Sequence, residues 1–224
     1  LRAQPVEMLL GAVREATPEE RRQRRLGVSL DKVREVRSTF EAAGVLIEIV
    51  KWDGVPSMSD DEIDYAFQVS KALGAKALST EIAVDHTKRI GQFADRHTLP
   101  VGYHGHADTS AAMFEAAFAQ SPYNFANLDI GHFTAGQNTS PVPFITRHHD
   151  RITHIHVKDR RLNNGPNVPF GQGDTPIKGV LQLMRDRGWR FQATIEFEYP
   201  VPPGSDRTAE LARCLEYCRN CLLG

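Results

Sequence analysis

The sequence predicts an α/β fold in which parallel strands close into a barrel, and three observations predict it. From Ser29 onward, short β-branched runs alternate with longer stretches of 3.6-residue periodicity, the pattern of repeated βα units. Four of the strand-like runs are apolar on one face and carry imidazole, carboxylate or other polar groups on the opposite face. At 224 residues, with 41% hydrophobic and 25% charged side chains, the chain is long enough to bury a substantial core.

Six strands are read at residues 45–51, 75–82, 100–106, 124–131, 152–158 and 191–198. Helices are read between them at 59–73, opened by Ser59-Asp60-Asp61-Glu62, and at 85–97, 110–120, 141–148, 175–187 and 206–223. Only helical signals precede the first strand: Thr17-Pro18-Glu19-Glu20 starts one helix, and residues 29–43 form a second that ends at Gly44. A TIM-type (β/α)8 barrel needs two more units and typically about 250 residues. The expectation is therefore one barrel domain over residues 1–224 with its first one or two βα units missing or its closure supplied by another chain, and the start at Leu1 is read as a processed or shortened front.

Side chains alternate between the two faces of a strand, so each run can be split by parity. Thr153, Ile155 and Val157 oppose His154, His156 and Lys158; Ala193, Ile195 and Phe197 oppose Gln192, Thr194, Glu196 and Glu198. Val101 and Tyr103 oppose Gly102, His104 and His106, and Ala126, Leu128 and Ile130 oppose Asn127, Asp129 and Gly131. A parallel sheet covered by helices on both sides is apolar on both faces. This polar face must then line a barrel interior, with its reactive groups toward the carboxyl ends of the strands, where barrel sites lie. His104, His106, Asp129, His132, His154, His156, Lys158, Glu196 and Glu198, with Glu81 from the second strand, form a metal-site inventory. Imidazoles with carboxylates suit manganese, iron, cobalt or zinc, with magnesium also admitted, and carboxylates buried without a cation would be costly.

Composition excludes other classes. No run approaches the roughly 20 apolar residues of a membrane span, and 27 Lys+Arg against 28 Asp+Glu leaves no basic excess for nucleic acid. The cytoplasm is the favoured compartment, and a homo-oligomer is the one macromolecular partnership retained. The Arg21, Arg22, Arg24 and Arg25 cluster reads as a solvated helix surface. Cys214, Cys218 and Cys221 are expected to pack on one helix face rather than hold a cluster. Residues 159–174, rich in Asn, Gly and Pro, read as a lid or binding loop.

The fragments Val101-Gly102-Tyr103-His104-Gly105-His106, Leu128-Asp129-Ile130-Gly131-His132, His154-Ile155-His156-Val157-Lys158-Asp159, Gly171-Gln172-Gly173-Asp174-Thr175-Pro176-Ile177 and Thr194-Ile195-Glu196-Phe197-Glu198 occur in this order, in a stretch of βα units that runs roughly from Val45 to the end. Together they resemble the sugar phosphate isomerase/epimerase family of xylose isomerase-like TIM barrels, which also holds inosose dehydratases and keto-sugar epimerases and is related to endonuclease IV. The resemblance implies a divalent metal on Asp129, His156 and Glu196, with His104 at the fourth position, where many epimerases carry a glutamate. It implies a small carbohydrate substrate, Glu196 as the base that takes an α-proton, and His106 or His132 as its partner. Lys158, His104 and Asp174 are the expected substrate contacts. An isomerase or epimerase is the leading expectation, a dehydratase or lyase of a keto sugar or inosose the alternative, and a sugar-binding protein without catalysis a third.

Overall fold

Thr17 opens the described residues, 17–224 of the computed structural model, as a helix cap. Its hydroxyl accepts from Glu20 N while the Glu20 carboxylate accepts from Thr17 N at 2.7 Å, so two otherwise orphaned amides are satisfied and α1 (Pro18–Leu26) begins. Helix α2 (Leu30–Ala42) closes on Gly44, whose φ of +72° suits a residue without Cβ, and Val45 N donates back to Phe40 O. That closure draws Val45 into the helix end, which is why β1 is only Ile49–Lys51 rather than the expected 45–51. There follow a 3-10 turn at Val55–Ser57, α3 (Asp60–Ala72), β2 (Ala77–Glu81), α4 (Val84–His97) and β3 (Val101–His104). The arginine cluster is not wholly solvated: Arg25 pairs with the buried Glu62 at 2.8 Å and Arg22 with Asp61, so α1 grips the start of α3.

The chain divides into two compact units, one reaching to Tyr103 and including Ala116–Phe125, the other His104–Glu115 with Ala126–Gly224. In the first, the strands follow in the order β1-β2-β3, and β1 pairs with β2 in parallel, Lys51 opposite Ser79. Val50, Leu78, Val101 and Tyr103 pack against Ile63, Phe67 and Ile90 in its core. Asn124 ties this unit together. Its amide donates to Ala117 O at 2.8 Å and Thr87 O at 3.1 Å, its oxygen accepts from the Tyr103 hydroxyl at 3.2 Å, and the residue is fully buried. Asn124→Ala orphans these groups and should cost about 2–4 kcal/mol; a denaturant midpoint equal to wild type would contradict this.

Helix α5 (Ala111–Gln120) is shared between the units, as is β4 (Asn124–Asp129). The second unit continues with α6 (Ile130–Gln137), α7 (Val142–His148), β5 (Ile152–Val157), α8 (Ile177–Arg187), β6 (Gln192–Ile195) and α9 (Arg207–Leu223), with strand order β4-β5-β6. The expected strand at 124–131 ends early because Asp129 turns the chain: its Oδ1 accepts from His132 N at 2.7 Å and caps α6. Gly131 and Gly136 hide the α6 pattern in sequence, and no helix is expected there. The strands at 100–106 and 191–198 also stop sooner, at His104 and Ile195. Cys214, Cys218 and Cys221 are buried along α9 as expected, and burial with the neighbouring thiols pushes Cys218 up to about 12.

Candidate active site

The register of β4, β5 and β6 assembles the site. Ala126 lies opposite Ile152, but the pairing then slips by one, so that Asn127 faces His154 and Asp129 faces His156. The extra residue, Thr153, donates from its hydroxyl to Ala126 O at 3.1 Å. Without this bulge Asp129 would stand beside the outward-pointing Ile155; with it, carboxylate and imidazole share a face. His156 in turn lies opposite Thr194, and Glu196 N continues the ladder to Val157 O at 3.0 Å, placing Glu196 one step beyond. His104 ends β3, and its ring centre is 4.9 Å from that of His156.

His104, Asp129, His156 and Glu196 each offer one ligand atom, and these atoms all lie within 4.8 Å of one another. Asp129, 1% exposed, divides its oxygens: Oδ1 caps α6, while the buried Oδ2 accepts no well-aligned hydrogen bond. Around Oδ2 stand Lys158 Nζ at 3.1 Å, His132 Nε2 at 3.7 Å and His104 Nε2 at 3.8 Å. His156 Nδ1 is 3.0 Å from Glu196 Oε2. A buried carboxylate oxygen aimed into a group of imidazoles and a second carboxylate is the donor set of a divalent transition ion, so the residues present fit such an ion.

Burial works to raise the Asp129 carboxyl, but His104, the Lys158 ammonium and His132 outweigh it and hold the group well below the usual carboxylate range. Burial also raises the Glu196 carboxyl; His156 more than offsets this, and the balance is a lowered value despite Asp129. Burial lowers the Lys158 ammonium, yet Asp129, Glu196 and Glu198 raise it overall, so it stays charged at neutral pH. His132 falls to about 4 through burial, with Lys158 and Arg160 adding to the effect against Asp129, and is neutral.

His106 and His132 stand next to the cluster, their ring centres 5.0 Å apart, with His106 exposed. Lys158 is buried and reaches Glu196 at 2.9 Å and Glu198 at 2.7 Å. Gly131 makes room for it: a Cβ there would meet Lys158 O at 2.7 Å. Asp174 is not drawn into the cluster; its Oδ2 accepts from Leu162 N at 2.9 Å. Glu81 is engaged in the first unit, where it pairs with Lys51 at 2.6 Å.

Sequence reasoning missed Asp159 and Arg160. The buried Asp159 carboxylate accepts from Gly171 N at 2.8 Å, Gly173 N at 2.9 Å and Thr175 N at 3.3 Å, strapping the 159–174 loop to the end of β5. Arg160 donates to Gly165 O and, from Nη1, to His132 Nδ1 at 2.6 Å, so the loop holds a site histidine. The signal was the alternation Gly171-x-Gly173-x-Thr175, which turns alternate amides toward one acceptor. Gly173→Ala puts a Cβ 2.0 Å from Asp159 Oδ1; it should cost about 1–3 kcal/mol and speed proteolytic cleavage within the loop. Unchanged cleavage would contradict the strap.

A family model described as the xylose isomerase-like TIM barrel matches residues 76–220, more than half of the chain. The chain belongs to this family. All four clustered residues of this xylose isomerase-like barrel fall within the matched segment. Its fold is similar to that of a xylose isomerase domain protein from Planctomyces limnophilus, at 18% identity and a TM-score of 0.72, covering 86% of this chain and 83% of that one. It is also similar to an IolI protein with a bound zinc atom, at 14% identity and a TM-score of 0.68, covering 92% and 86%. A third is an L-ribulose 3-epimerase, at 11% identity and a TM-score of 0.66, covering 92% and 82%. No curated protein matches the sequence. Among the described residues no helix of this xylose isomerase-like barrel is long and apolar enough to cross a membrane.

Proposed function

We propose that the chain is a divalent-metal-dependent isomerase or epimerase of a keto sugar or related polyol. The observation that carries this reading is the convergence of His104, Asp129, His156 and Glu196 within 4.8 Å, around a buried Asp129 oxygen that faces the Lys158 ammonium at 3.1 Å. The family, and the epimerase and zinc-containing IolI protein among its structural relatives, support it. A divalent ion held by these four residues supplies the positive charge that stabilises an oxyanion developing on a ketone substrate.

The protein's own groups then divide the proton transfers. Glu196 has a 24% exposed side chain, against 3% or less for the other three, so it is the carboxylate a substrate carbon can reach. It takes the proton from the carbon next to the ketone, leaving an enediolate. His106 or His132 returns a proton, and the strapped loop orients hydroxyl groups. Elemental analysis of the purified protein, followed by solvent-deuterium incorporation over a panel of ketoses and inososes, tests the reading. Bound divalent metal with label uptake and no elimination is expected; uptake with no substrate would overturn it, and elimination would mark a dehydratase instead.

A further inference from the structure

Lys158 brings a cation to the cluster from within the chain. Its side chain is 2% exposed, and Nζ lies 3.1 Å from Asp129 Oδ2, 2.9 Å from Glu196 Oε2, 2.7 Å from Glu198 Oε2 and 3.0 Å from His132 Nε2. An ammonium has three N–H bonds, so four acceptors cannot all be served. A neutral imidazole accepts at one nitrogen only, and Arg160 already donates to His132 Nδ1 at 2.6 Å. The three carboxylates remain as the partners of Lys158. Two of them, Asp129 and Glu196, belong to the four-residue cluster. The third, Glu198, does not: its side chain is 45% exposed, and Asn167 Nδ2 from the strapped loop donates to it at 3.3 Å.

The same two carboxylates therefore face two claims for positive charge, one from a side chain and one from an ion. We propose that Lys158 is a built-in counter-ion that competes with the divalent ion for Asp129 and Glu196, and that Glu198 holds its ammonium aside when the ion is bound. The inference rests on the metal reading given under Proposed function. Metal affinity is then tuned by two residues outside the ligand set, Glu198 favouring uptake and Lys158 opposing it. With Lys158 in place, Asp129 and Glu196 are not left as bare buried charges when no ion is present, a state that would otherwise be costly.

The test uses the full chain, stripped with a chelator and titrated with Mn²⁺ or Zn²⁺ against a chelating indicator. Lys158→Met should bind either metal about tenfold or more tightly than wild type, and Glu198→Gln about tenfold more weakly. The Glu198→Gln effect should vanish in the Lys158→Met background, because Glu198 acts through Lys158. Metal should also raise the melting temperature of Lys158→Met by more than it raises that of wild type. Lys158→Gln replaces the Met variant if the latter does not fold. A purely structural role for Lys158 predicts weaker binding on its removal, so the direction of the change discriminates. Unchanged or weaker binding by the Lys158 variants, or an equal Glu198→Gln loss in both backgrounds, overturns the inference while leaving the metal reading intact. Absence of uptake of either metal by both wild type and Lys158→Met overturns the metal reading as well.

Discussion

Asp129→Asn should lose divalent-metal affinity by more than the roughly 10–100-fold typical of removing a group that merely supports a ligand. The substitution is nearly isosteric, and Asn is as good a helix cap as Asp, so the bond from His132 N that starts α6 can survive. What is lost is the negative charge on Oδ2, which sits 3.1 Å from Lys158 and is buried with His104 and His132 around it. The variant should keep its far-ultraviolet circular dichroism spectrum while failing to retain metal through gel filtration. Wild-type metal retention would show that Asp129 does no more than cap a helix and pair with Lys158.

Glu196→Gln should slow solvent-deuterium exchange into substrate by about 10²–10⁴-fold, the range associated with a positioned general base. The amide is of similar size and can still contact His156, whose Nδ1 lies 3.0 Å from Glu196 Oε2, but it cannot take a proton. Assayed at saturating metal, since Glu196 is also one of the four ligands, the loss should appear in kcat with KM little changed, because substrate contacts made by the other groups remain. Exchange at the wild-type rate with metal bound would move the base elsewhere, with His106 and His132 next in reach.

Much of this site was legible because strand parity is simple to read. His154, His156 and Lys158 share a face by alternation alone, and the β4–β5–β6 register places Asp129, His156 and Thr194 in one row. The slip at Thr153 was not legible: a bulge depends on how two strands pair, and neither strand announces it. Helix α6 escaped because its two glycines weaken helical periodicity and because Asp129, read as a strand residue, also serves as the cap. The strap around Asp159 escaped for another reason. Its partners are backbone amides of Gly171, Gly173 and Thr175, so the alternation of those residues is the one trace in the sequence, and it does not name its acceptor. Asp174, expected as a substrate contact on that same loop, accepts from Leu162 N there.

Whether one ion sits among His104, Asp129, His156 and Glu196 can be seen by anomalous diffraction from crystals of the full chain soaked in manganese. One strong peak is expected, within bonding distance of Asp129, His156, Glu196 and His104 together. A peak elsewhere, or none while the Lys158 ammonium stays on Asp129 and Glu196 in millimolar manganese, would contradict it.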